Sequence, residues 1–150
     1  MELEATYFHA EILANMISQT RHVLQNLKIK NLFSPQALVI EYQTIHFGGV
    51  RGSGHGTAIE ALTHIYVSEI ICAKREHTRH FRNIKLGTKV RTIEEVMQPG
   101  IKQEKKVEVV FIDNWSTIIL PHYPDLPKML YQLEGVYNAS QNNTVFALIH

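Results

Sequence analysis

A single cysteine, Cys72, occurs in the 150 residues. This excludes an internal disulfide framework and sets the expectation of a reducing, cytoplasmic compartment. Long apolar runs are missing too: none approaches the ~20 residues a membrane-spanning helix requires, so no membrane partner is expected. The start of the chain lacks the basic residues, apolar core and small-residue cleavage site of a signal peptide. Nor does one sign of charge dominate, since 15 Lys and Arg against 14 Asp and Glu leave a formal net charge of +1. The chain as a whole is therefore not a polycation. Internal repeats and low-complexity tracts are also absent.

What is present describes a globular domain. Hydrophobic residues make up 45% and charged residues 19%, the balance of a chain that buries a core rather than one that stays disordered. At this length a single domain is expected. Apolar side chains at Phe8, Ile12, Met16, Val23 and Leu27 recur at helical spacing with no Gly or Pro between them. They predict a helix over residues 4–27, within an N-terminal helical extension spanning 1–33. Ser34-Pro35 breaks that pattern. The β-branched and aromatic residues of 37–47 predict a strand ending at the glycines. A helix is expected over 57–67, with Ile59, Leu62, Ile65 and Tyr66 on one side, then a short buried strand over 69–73. Thr92 is placed to cap a short helix within 90–97 that carries Glu94 and Glu95. Residues 107–113 and 144–149 read as strands, Pro121, Pro124 and Pro127 mark a loop, and 126–137 reads as a helix. Strands alternating with helices predict an α/β fold whose sheet is mostly parallel, with flanking helices.

The stretch FGGVRGSGHGT, Phe47 to Thr57, joins a predicted strand to a predicted helix. A phosphate-binding loop requires that order: glycines let backbone N–H groups turn inward, and a helix N-terminus faces the anion. Gly49 and Gly54 occupy the two fixed glycines of the G-x-x-x-x-G-K-[ST] pattern. The chemistry after them differs. His55 stands where a lysine reaches the β- and γ-phosphates, and Gly56 where a hydroxyl holds magnesium. Thr57, one position later, is the nearest hydroxyl that follows. A second landmark of such sites is an acidic residue closing a neighbouring strand, often followed by a Glu that activates water. Here Asp113 closes VEVVFID and Asn114 follows, an amide that cannot take a proton as a base. Three readings stay open on these residues: a nucleotide site, a broken one, and an ordinary glycine-rich turn.

GVRGSGHGT resembles the GGRGSGKS loop of phage terminase large subunits and related helicase-like ATPases, with Arg51, Gly52, Ser53 and Gly54 matching in place. EIICAKREHTRHF resembles the strand and basic turn after their first helix, VVFIDN resembles their Walker B strand, and TVFALI falls where their next core strand would. The resemblance covers residues 37–150. It implies an abbreviated P-loop NTPase-like core, ATP or GTP as the bound molecule, and Asp113 as the residue for magnesium if the ion is bound. It also implies a viral or mobile-element setting in DNA metabolism. With lysine, magnesium hydroxyl and glutamate all replaced, no residue is assigned a catalytic role.

Lys74, Arg75, Arg79, Arg82, Lys85, Lys89 and Arg91 lie close together, with Glu76 the only acid among them. Such a cluster holds nucleic-acid backbones without reading sequence, and in the resembled family this region lies near the nucleic-acid track. Phe81 offers a stacking surface there. An ordinary solvated face is the competing reading. His77 and His80 are spaced to share a helical face near Glu76 and Cys72, but no second cluster completes a four-ligand zinc pattern, so a polar turn is expected. Cys72 reads as a small buried hydrophobe and Trp115 as a packing residue. Asp113 and His122 make an acid–base pair only if the fold brings them together.

The function expected is that of a non-hydrolysing nucleotide- or phosphate-binding or regulatory module. Two alternatives stand beside it. One is a nucleic-acid- or protein-interaction factor whose loop is a structural relic; the other is an atypical ATPase.

Overall fold

Residues 109–112 and 145–149 read VVFI and VFALI, with no polar side chain in either. A strand apolar at every position must be covered on both faces, which is the condition of a parallel sheet between helix layers. The computed structural model has that architecture. It describes residues 2–28, 30–48, 55–101, 105–115 and 119–150, leaving aside the side chains of 2–7 and 55. Strands β1 (Thr44–Phe47), β2 (Ser68–Cys72), β3 (Lys89–Thr92), β4 (Val109–Ile112) and β5 (Val145–Ile149) form one sheet in the order β1-β5-β4-β2-β3. All four pairings are parallel.

Alternation along each strand sorts the core into two layers. Ile70, Cys72, Val109, Phe111, Val145, Ala147 and Ile149 point to one face. They meet α1 (Glu2–Asn26) through Leu13, Ile17 and Leu24, and α3 (His55–Leu62) through Ile59 and Leu62. The helix of the N-terminal extension thus closes this face of the sheet. Ile71, Val110, Ile112, Phe146 and Leu148 point the other way. There they meet α2 (Pro35–Tyr42), α5 (Ile93–Val96), α7 (Leu126–Tyr137) and α8 (Ala139–Asn142). Two short helices, α4 (Arg75–Thr78) and α6 (Leu120–His122), and a 3-10 turn over Lys30–Leu32 complete the set described.

Four boundaries differ from those the sequence predicts. Pro121, read as part of a loop, lies in the first turn of α6, a position that proline tolerates. The strand expected over 37–47 is mostly helix. The Ser34 side chain accepts from the Ala37 N–H at 3.2 Å and Pro35 occupies the first turn, so Ser-Pro starts a helix here. That helix buries Leu38 and Val39, and β1 keeps only the last four residues. Between them Gln43 is fully buried: its Nε2 donates to the carbonyls of Ala139 (2.8 Å) and Thr144 (2.7 Å), pinning the helix-to-strand corner. The helix expected over 57–67 ends at Leu62, where Thr63 Oγ1 donates back to the Glu60 carbonyl at 2.7 Å. Finally, Lys89–Thr92 is an edge strand. Its Lys and Arg hide it from a hydrophobic pattern, and such charges are common on edges. Thr92 does cap α5, accepting from the Glu95 N–H at 3.2 Å.

Candidate functional site

Because the strands are parallel, their carboxyl ends open at one edge. Gly48 follows β1, Ala73 and Lys74 follow β2, Asp113 follows β4 and His150 follows β5. Gly49, Arg51, Gly52, Ser53 and Gly54 lie outside the described residues. Beyond them the backbone of His55 opens α3, with Gly56 half-buried and Thr57 exposed in its first turn. At the end of β1, Gly48 leaves room for a neighbour: a Cβ built on it comes within 3.3 Å of the His150 Cβ. Beside it, His46 Nδ1 and His150 Nε2 are 2.9 Å apart. Burial and then the charge of His46 hold the His150 imidazole below its ordinary range. No sequence motif signals this pair, because the two residues are far apart in the chain and meet only through strand register.

Asp113 is fixed by its own backbone, whose N–H donates to the Ile71 carbonyl at 2.9 Å. Burial pushes its carboxyl above the usual range, opposed by a backbone hydrogen bond from Asn114 and by the charges of His77 and His80. Asn114 sits in the left-handed region (φ 51°) and its Nδ2 donates to Asp113 Oδ2 at 3.3 Å. Asparagine tolerates that conformation better than most residues, which supplies a conformational reason for the amide after the acid. Asp113 therefore faces α4, whereas His122 lines a separate cleft described below. Cys72 is buried, and its thiol is pushed up to about 12 by burial and then by Asp113. That is the state of an inert thiol. Trp115 is 2% exposed and part of the core.

The basic segment divides in two. Lys74, Arg75, Arg79, Arg82, Lys85 and Lys89 are exposed. Arg91 is not part of that surface: its Nη2 lies 2.6 Å from Oε1 of Glu69, which is 3% exposed, and the Tyr137 hydroxyl donates to the same oxygen at 3.0 Å. The stacking role read for Phe81 is also corrected, since its ring is 7% exposed and packs in the α1–α3 layer. The rings of His77 and His80 lie 5.8 Å apart. Among the described residues no three His, Cys, Asp or Glu side chains converge in a metal-binding arrangement.

Adjacent strands β2 and β4 part company at this edge. The chain after β2 enters α4 and reaches Phe81 on the α1–α3 side, while the chain after β4 runs to Ile119 and α7 on the other. Divergence of that kind opens a crevice in doubly wound sheets. Here a cleft of about 380 Å³ lies beside it, with Ala73 and Lys74 after β2, Ile93 and Glu94 of α5, and Ile119, His122 and Tyr123 around α6.

No family model, curated protein or solved structure matches the chain. Among the described residues no helix is long and apolar enough to cross a membrane.

Proposed function

We propose that the chain is a phosphate-binding α/β module of P-loop type, holding a nucleotide or pyrophosphate at the carboxyl edge of its sheet without turning it over. One observation carries the reading. The strand that precedes the glycine-rich stretch and the strand that precedes Asp113 run parallel with only β5 between them, so the end of β1 and Asp113 lie at the same edge of the sheet. Backbone N–H groups and the positive end of a helix attract an anion without a lysine. His55 at the lysine position gives weak binding that strengthens when the imidazole is protonated. Gly56 at the hydroxyl position makes that binding insensitive to magnesium. Calorimetric titration of ATP, GTP and pyrophosphate at pH 6 and pH 8, with and without magnesium, tests the reading. Heat at pH 6 that weakens at pH 8 supports it, and no heat at either pH with millimolar ligand rejects it.

A second reading rests on the exposed cations. Lys74, Arg75, Arg79, Arg82, Lys85 and Lys89 all reach solvent within sixteen consecutive positions, a stretch that suits a nucleic-acid backbone. Binding to single- or double-stranded DNA that falls steeply with salt, and that survives loss of phosphate binding, favours this reading over the first.

A further inference from the structure

The cleft at the ends of β2 and α5 shares no lining residue with the phosphate reading, which rests on β1, α3 and Asp113. Its lining is mixed, and Ala73, Ile93 and Ile119 supply the apolar part, the two isoleucines largely covered by the core (3% and 1% exposed). Its polar groups are Lys74, Glu94, His122 and Tyr123. Among the described residues the ion pairs are Arg21–Glu108, Arg75–Glu95 and Arg91–Glu69. Lys74 and Glu94 are in none of them. One charge of each sign, solvent-exposed and in no ion pair among the described residues, therefore borders a single concavity.

The frame around these groups is built. Thr92 caps α5 and fixes the turn that carries Glu94. The Lys74 carbonyl accepts from the His77 N–H at 3.0 Å, and the Tyr123 N–H donates to the Ile119 carbonyl at 2.9 Å. The cleft volume falls in the range of small-molecule sites. A polyphosphate is a poor match, because it would bring several negative charges to one lysine and against the Glu94 carboxylate. A simple cation or anion leaves one of the two charges unanswered.

We propose that this cleft binds a small zwitterion of α-amino-acid type with an apolar side chain. Its carboxylate meets Lys74, its ammonium meets Glu94, and its side chain lies against Ile93 and Ile119. Removing the charge-assisted hydrogen bond at either end weakens binding by roughly tenfold or more.

The test is calorimetry on the intact chain with L-leucine and L-phenylalanine. Fluorescence of Trp115, which belongs to the same apolar cluster as Ile93 and Ile119, provides a second readout. Saturable binding is expected at millimolar ligand or below. Leucine's deaminated acid, 4-methylpentanoate, and its decarboxylated amine, 3-methylbutylamine, should each bind about tenfold more weakly. Lys74→Met and Glu94→Gln replace exposed side chains, so both variants should melt like the parent and show leucine affinity about tenfold weaker. Pyrophosphate should not displace leucine. The proposal is overturned if neither amino acid binds, if a one-charge analogue binds as well as leucine, if both variants bind normally, or if pyrophosphate competes. Failure here leaves the β1–α3 phosphate titration unaffected, so the two readings fail separately.

Discussion

His46 Nδ1 lies 2.9 Å from His150 Nε2, where β1 and β5 end side by side. Two imidazole nitrogens at that distance share one proton. Burial, and then the repulsion from a charged His46, lower the His150 value in the fold. The folded chain then binds fewer protons than the unfolded chain below the ordinary imidazole range. Stability is therefore present above about pH 6.5 and is lost as pH falls through the lowered value. Urea melts from pH 7.5 down to pH 5 should show a falling midpoint, and His150→Gln should flatten that slope. An unchanged slope in the variant means that the pair does not govern acid sensitivity.

A second prediction concerns Glu69, whose carboxylate is held by Arg91 at 2.6 Å and by Tyr137 at 3.0 Å. Removing Arg91 leaves a charge buried without its cation, which costs about 3–5 kcal/mol, whereas Tyr137→Phe removes one hydrogen bond worth about 1 kcal/mol. Chemical denaturation should thus rank Arg91→Ala well below Tyr137→Phe in stability. Equal losses would mean that water compensates the Glu69 carboxylate.

These two sites also mark what sequence does and does not disclose. The α/β class and the parallel sheet were legible because short apolar runs alternate with helical patterns, and β4 and β5 carry no polar side chain on either face. Residues 37–42 misled because ALVIEY has strand-like composition, while the Ser34-Pro35 start that makes it a helix was read as a break. Arg91 looked like one more cation in a basic run; nothing local shows that Glu69, twenty-two positions earlier, lies beside it across a strand pair. The Lys74–Glu94 cleft is equally invisible, since it is assembled from the ends of elements that neighbour each other only in the folded sheet.

The left-handed backbone at Asn114 (φ 51°) leads to a third prediction. Asn114→Gly should keep or slightly raise stability. Asn114→Glu, which writes the missing general base into the sequence, should cost about 1 kcal/mol, because a longer side chain fits that conformation poorly. Thermal melts of both variants check the ranking. A fully stable Asn114→Glu protein would show that position 114 relaxes easily.

The last prediction concerns turnover. A phosphate-loop NTPase draws its rate from charge placed on the phosphates, a metal held by a hydroxyl and an acid, and a base that orients water. In this chain His55 and Gly56 replace the first two loop groups, and Asn114 follows Asp113 where the base is often found. The Asp113 carboxyl is in addition pushed upward by burial, so its charged form is less favoured than that of a solvent-facing aspartate. Purified protein should therefore release no phosphate from ATP or GTP above background. The double variant His55→Lys, Gly56→Ser restores a charge-assisted hydrogen bond, so its phosphate affinity should rise by roughly tenfold to a hundredfold. Binding in that variant should become magnesium-dependent, while turnover stays absent with Asn114 in place. A malachite-green phosphate assay run beside the titrations decides the matter. Robust wild-type hydrolysis that disappears in Asp113→Ala would overturn the non-hydrolysing reading and leave the atypical ATPase in its place.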